Sequence, residues 1–89
     1  MAAPACFTFD YLREQLCVFR RMMGERAVME DAERRDRALG ALMYVWFTAK
    51  CTPEQETLAQ SWMDATLLEF MRRCEYADLR MKPAHETAG

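Results

Sequence analysis

The chain has 89 residues, of which 52% are hydrophobic and 29% are charged, and its net charge is −2. This length predicts one domain, and the hydrophobic fraction excludes an intrinsically disordered chain. The negative net charge argues against a general nucleic-acid-binding protein, because the affinity of such proteins comes from positive side chains that neutralise phosphates. Because a domain of this size buries only about 60% of the surface that its unfolded chain exposes, a second subunit would add stability.

The sequence carries no signal for secretion, membrane insertion or metal binding. Its longest uncharged run, residues 38–49, is shorter than the roughly 18–20 residues that span a bilayer, and its start lacks the pattern of a signal peptide. We therefore expect a cytoplasmic protein, in its own cell or in a host, with no membrane contact. The four cysteines form no C-x-x-C pair and the only histidine is His85, so no metal or other cofactor is predicted. Cys17 and Cys74 are expected to be buried free thiols.

The first predicted helix begins near Thr8 or Asp10, either of which can cap exposed backbone N–H groups. Gly24 is the expected stop, because glycine adopts the left-handed conformation that closes many helices. Residues 1–7 are predicted to be a flexible N-terminus. The apolar residues of this helix recur at spacings of three and four, which is typical of one buried helical stripe: Phe9, Leu12, Leu16, Phe19 and Met23.

The second helix is predicted to begin around residues 28–30, and its two halves differ. Its second half, residues 38–49, is apolar on every side and needs more cover than two other helices of a small chain provide. Its first half carries acids four positions before bases, which favours a solvated helical face: Glu30 with Arg34, Asp31 with Arg35, and Glu33 with Arg37.

The most specific local signal is Thr52-Pro53-Glu54-Gln55, a capping box with proline at the first helical position. It predicts a tight turn that makes the second and third helices an antiparallel αα-hairpin. The third helix is expected to run from Pro53 to Met81, ended by Lys82-Pro83, with residues 82–89 as a flexible tail. Such a helix is long enough to overhang a compact domain of this size. Its heptad-like apolar seam consists of Met63, Leu67, Phe70, Cys74, Ala77 and Met81.

These elements predict an all-α fold, a three-helix bundle over residues 8–81 with a long C-terminal helix, assembled as an oligomer. The first and third helices each carry a second apolar face that one intramolecular core does not need. Large exposed apolar patches mark interaction sites, although a generous core with scattered surface apolar groups is the competing interpretation. The eight methionines suit either an adaptable binding surface or a Met-rich core.

We therefore predict a non-enzymatic protein-interaction module, an adaptor, chaperone-like protein or inhibitor, that binds a protein partner or a copy of itself. A phage or viral protein that captures a host factor, a secretion chaperone and one subunit of a larger complex all fit this description. The candidate partner-binding residues are Tyr11, Val18, Met22, Met43, Phe47, Trp62, Leu68 and Tyr76.

Two alternative functions stay open. A nucleic-acid-associated regulator would use Arg34, Arg35 and Arg37 as phosphate contacts. A small helical enzyme would need a polar, concave pocket around Arg72 or Arg73. No catalytic residues are predicted, because a nucleophilic cysteine needs a base within hydrogen-bond reach and the only histidine lies in the tail.

Overall fold

The computed structural model describes residues 6–81, which form four α-helices and no β-strand. The all-α prediction is confirmed. Within the described range, no helix is both long and apolar enough to cross a membrane. The predictions for residues 1–5 and 82–89 concern positions outside this range. The helices are α1 (Phe9–Met22), α2 (Arg26–Met29), α3 (Ala32–Thr48) and α4 (Pro53–Met81).

Helix α1 is capped as predicted but ends in a different backbone geometry. The hydroxyl of Thr8 accepts a hydrogen bond from the backbone N–H of Tyr11 at 3.1 Å. The helix ends at Met22, just before Gly24. No glycine in the described residues has a positive φ, so the predicted left-handed closure is wrong. The N–H of Gly24 instead donates to the carbonyl of Arg21 at 3.0 Å, and the chain turns directly into α2.

The predicted second helix is in fact two helices, the one-turn α2 and the longer α3. The carboxylate of Asp31 accepts from the backbone N–H of Arg34 at 3.1 Å and caps α3. Of the three predicted i,i+4 ion pairs, Glu33–Arg37 forms at 2.9 Å. The other two predictions are wrong because their acids precede the first residue of α3, and helical i,i+4 geometry requires both partners on one helix.

The turn into α4 is the predicted capping box. The backbone N–H of Thr52 donates to the side chain of Gln55 at 3.0 Å, and the N–H of Gln55 donates back to the Thr52 hydroxyl at 3.2 Å. Helices α3 and α4 are antiparallel, since Arg35 near the start of α3 pairs with Asp78 near the end of α4. They do not form a closely packed hairpin, because α1 and α2 pack against both of them and direct packing of α3 on α4 is sparse.

The core lies where α1 and α2 face α3 and α4. Of the predicted α4 seam, Met63, Phe70 and Ala77 are buried, whereas the side chain of Met81 lies outside the described part. The described chain measures 55 × 32 × 19 Å. With 29 residues, α4 is longer than any helix packed against it. The main core cluster consists of Leu12, Leu16, Phe19, Met23, Met29, Leu42, Val45, Ala59, Met63, Phe70 and Ala77.

Candidate interaction surfaces

The eight predicted contact residues fall into two groups and do not form one patch. Three of them, Met22, Met43 and Trp62, are partly buried and pack against the core. The ring of Trp62 stacks on Phe9, with 5.6 Å between centroids, so this tryptophan fastens α4 to α1. The other five are exposed and are spread over α1, α3 and α4: Tyr11, Val18, Phe47, Leu68 and Tyr76.

The structure exposes four more large apolar side chains that were not among the predicted contacts: Tyr44, Leu58, Met71 and Leu79. Three of the four, Leu58, Met71 and Leu79, lie on α4 with Leu68. Residues 68, 72, 75 and 79 are spaced by four, three and four, which places them on one face of a helix. All four are exposed. We call this row, Leu68, Arg72, Glu75 and Leu79, the outer stripe. The same spacing rule that identified the buried seam identifies it in the sequence.

The two charged residues of the outer stripe are poorly compensated within the chain. Glu69 sits between two arginines, at 2.7 Å from Arg73 and 3.8 Å from Arg72. The hydrogen bond from Arg73 lowers the pKa of Glu69, and the longer contact leaves Arg72 only loosely paired. Glu75 makes no ion pair with any residue of the described range. The outer stripe thus exposes one positive charge, on Arg72, and one negative charge, on Glu75, to solvent.

A notch between α2 and α4 is lined by four arginines together with apolar side chains. It has a volume of about 370 Å³. Glu30 at its edge lies 2.8 Å from Arg26 and 3.1 Å from Arg80, and the hydrogen bond from Arg26 lowers the pKa of Glu30. The guanidinium of Arg80 also lies 4.6 Å from the ring centroid of Tyr76. We call this surface the arginine notch. It is lined by Met23, Gly24, Arg26, Met29, Glu69, Arg72, Arg73, Tyr76 and Arg80.

The arginine notch has a surplus of positive charge. Each of the carboxylates Glu30 and Glu69 lies between two guanidinium groups, so four arginines face two acids. The notch lies around Arg72 and Arg73, where the enzyme alternative requires a polar, concave pocket, but the side chains of these two arginines are 69% and 46% exposed. The periodicity of the sequence did not predict this notch, because the one-turn helix α2 that forms its wall was not expected.

Two arginines act as caps for helix ends. Arg73 donates to the carbonyl of Met23 at 3.1 Å, just after α1, and Arg35 donates to the carbonyl of Met29 at 2.7 Å, at the end of α2. Such contacts satisfy carbonyls that have no partner inside a helix. Arg35 is buried, whereas Arg34 and Arg37 are exposed. The structure therefore does not place the three predicted phosphate contacts on one accessible surface.

The cysteines differ from their prediction at one position. Cys17 is exposed, so the prediction that it is buried is wrong, and its place on α1 lies outside the buried stripe. Cys74 is partly buried, and burial raises the pKa of its thiol. Burial also raises the pKa of Cys51. In residues 6–81, no group of three or more His, Cys, Asp or Glu side chains is placed to hold a metal ion.

Comparison with protein-family models, with curated proteins and with solved structures finds no match to this chain. Its function must therefore be inferred from its own surfaces, of which the outer stripe and the arginine notch are the two most distinctive.

Proposed function

We propose that the chain is a non-enzymatic helical interaction module that self-associates through the outer face of α4. The observation that carries this proposal is the outer stripe, in which Leu68 and Leu79 are 59% and 60% exposed although the opposite face of α4 already supplies the core. Fully burying a leucine that was exposed contributes about 1.5–3 kcal/mol. Two such residues on one helical face therefore favour association with another apolar surface.

The shape of the molecule supports this proposal. A compact globule of this length has a diameter of about 30 Å, whereas the described residues are only 19 Å thick in their thinnest direction. A body this thin covers one face of a helix and leaves the other open. Met71 beside the outer stripe is 66% exposed. A second subunit would remove such surface from water.

An adaptor, a chaperone-like protein and an inhibitor would all use an apolar helical face in this way. They differ in what the assembled molecule presents to a further partner. The nucleic-acid alternative is not proposed further, because Arg35, one of its three arginines, is buried and engaged by Asp78.

The experiment that tests self-association compares two leucine-to-glutamate variants of the same helix by light scattering after size exclusion. Leu68→Glu places a charge in the outer stripe, and we expect it to give a single-chain mass at concentrations where the unmodified chain is a dimer. Leu58→Glu is the matched control, because Leu58 is also exposed, at 47%, and continues the heptad spacing of the outer stripe, but lies about 15 Å before Leu68 along the helix axis. This control should retain the dimer.

Circular dichroism of both variants separates a lost interface from a lost fold. Retained helicity with lost assembly in Leu68→Glu supports the proposal. Loss of helicity would instead assign Leu68 to the core, and a Leu68→Glu variant that dimerises like the unmodified chain would reject the outer stripe as an interface.

A second candidate function is the binding of an organic anion in the arginine notch. It is favoured by the two guanidinium groups in excess over carboxylates and by the apolar walls from Met23, Met29 and Tyr76. Such a site would hold a carboxylate or phosphate group through the arginines and an aromatic or aliphatic group against these walls. The small-enzyme alternative would also require such a binding site.

Titration with phenyl phosphate and benzoate at constant ionic strength tests this candidate, with amide chemical shifts as the readout. Saturable shifts at residues of the notch, lost in Arg80→Gln and retained in Arg34→Gln, would support a site. Shifts that do not saturate, or that persist in Arg80→Gln, would reject it.

A further inference from the structure

We infer that two copies pair antiparallel along the outer stripe, with the two-fold axis midway between positions 73 and 74. This inference rests on the proposed self-association and specifies its geometry. It assigns a second copy of the chain as the occupant of the outer face of α4, because the charges and leucines of the outer stripe are complementary to themselves when one copy is reversed.

The spacing of the stripe is symmetric about that axis. Leu68 and Leu79 lie equally far from it on opposite sides, at about 8 Å, and Arg72 and Glu75 lie at about 2 Å, given the rise of 1.5 Å per residue. An antiparallel pair therefore sets Leu68 against Leu79 of the second copy. It also sets Arg72 against Glu75 of the second copy. The four-three-four spacing is the one that two-helix coiled coils use for facing residues.

The charges distinguish this arrangement from others. Arg72 has only a 3.8 Å contact to Glu69, and Glu75 has no ion pair in the described part of the chain. The antiparallel pair gives each of them a counter-ion. A parallel pair in register would instead set each Arg72 against Arg72 of the second copy and each Glu75 against Glu75, and like charges in facing positions are destabilising. Sliding the antiparallel pair by one heptad towards the N-terminus would set the apolar Leu68 of one copy against the charged Arg72 of the second copy.

The test uses charge reversal in trans. In a dimer of Arg72→Glu, two glutamates face each other at each central position, where residue 72 of one copy meets residue 75 of the second copy. In a dimer of Glu75→Arg, two arginines face each other there. Each variant alone should dimerise at least about tenfold more weakly than the unmodified chain, since like charges in facing positions repel each other at both contacts. A mixture of the two variants restores opposite charges at both central positions, so it should form a heterodimer within about threefold of the original affinity.

Two controls make the result interpretable. Arg34→Glu changes the net charge as Arg72→Glu does, on the exposed start of α3, and should leave dimerisation unchanged. The double variant Arg72→Glu/Glu75→Arg should dimerise with itself, which shows that the reversed charges are compatible with folding. Sedimentation velocity at equal protein concentration is the readout, with helicity checked by circular dichroism.

The outcomes separate this inference from the function on which it rests. Weak single variants that associate with each other establish the antiparallel register. Single variants that dimerise like the unmodified chain, or a mixture that does not associate, overturn the register, and the proposed function survives if Leu68→Glu still abolishes the dimer. An unmodified chain that remains a single chain at every concentration overturns both.

Discussion

Arg35 on α3 and Asp78 on α4 are joined by two hydrogen bonds of 2.9 and 3.2 Å across 43 positions of sequence. The Arg35 side chain is only 9% exposed, whereas that of Asp78 is 60% exposed. The same guanidinium donates to the carbonyl of Met29 at 2.7 Å. One buried cation therefore ties α2, α3 and α4 together at one end of the molecule, and it replaces the i,i+4 pair with Asp31 that the sequence predicted.

Removing either partner of this ion pair should destabilise the fold. We expect Asp78→Asn to lower the free energy of unfolding by about 1–2 kcal/mol, because it leaves a buried guanidinium without its counter-charge. Arg35→Ala should cost about 3 kcal/mol, since it also frees the carbonyl of Met29. Urea denaturation followed by circular dichroism measures both. The exposed Arg34→Ala is the control and should change stability by less than about 0.5 kcal/mol; an equal loss in all three variants would show that the pair has no special role.

Thr66 is fully buried on the core face of α4, and its hydroxyl has no hydrogen-bond partner among residues 6–81. A buried polar group without a partner costs roughly 1–3 kcal/mol, so Thr66→Val should raise the free energy of unfolding by about 1 kcal/mol. Thr57→Val is the matched control, because the Thr57 hydroxyl is exposed and donates to the carbonyl of Pro53 at 3.0 Å. A Thr66→Val variant less stable than the original would mean that the hydroxyl is satisfied in solution.

The capping box should contribute measurably to stability. Thr52→Ala removes the acceptor for the N–H of Gln55 at the start of the longest helix, and such caps contribute about 1 kcal/mol. Thr52→Ser retains the hydroxyl and should retain most of this stability. Thermal unfolding of the two variants, measured side by side, decides the point, and identical midpoints would exclude a role for the hydroxyl.

The cysteines should differ in reactivity. Burial raises the pKa of Cys51 and Cys74, so at neutral pH they carry less of the thiolate that reacts with alkylating agents. Under native conditions we expect iodoacetamide to modify the exposed Cys17 before these two, and their rates to rise as the pH increases towards 9. Mass spectrometry of timed samples gives the order. In denaturant the difference should vanish, and a Cys74 that reacts as fast as Cys17 in the native protein would contradict the burial.

Local chemistry made much of the fold predictable. The capping box at Thr52 gave the start of α4, and heptad spacing gave its buried seam. The break at Asp31 was missed because the same residue serves equally well as a helix cap or as the acid of an i,i+4 pair, and only the tertiary position of Arg35 decides between them.

The surfaces were harder to predict than the helices. Periodicity shows that Leu68 lies opposite the buried seam, but not whether another helix covers it. The sequence therefore placed Trp62 and Leu68 in one group, whereas Trp62 packs on Phe9 and Leu68 is exposed. The arginine notch depends on the packing of α2 against α4, which no local pattern encodes.

The most direct test of the central claim is the solution mass of the unmodified chain, measured by sedimentation equilibrium over a wide concentration range under reducing conditions. A single chain has a mass of 10.4 kDa. Self-association through α4 predicts a mass that rises with concentration and levels off at two chains, without any disulfide. A mass that stays at 10.4 kDa throughout would contradict it and would leave the exposed leucines of α4 without a second copy to cover them.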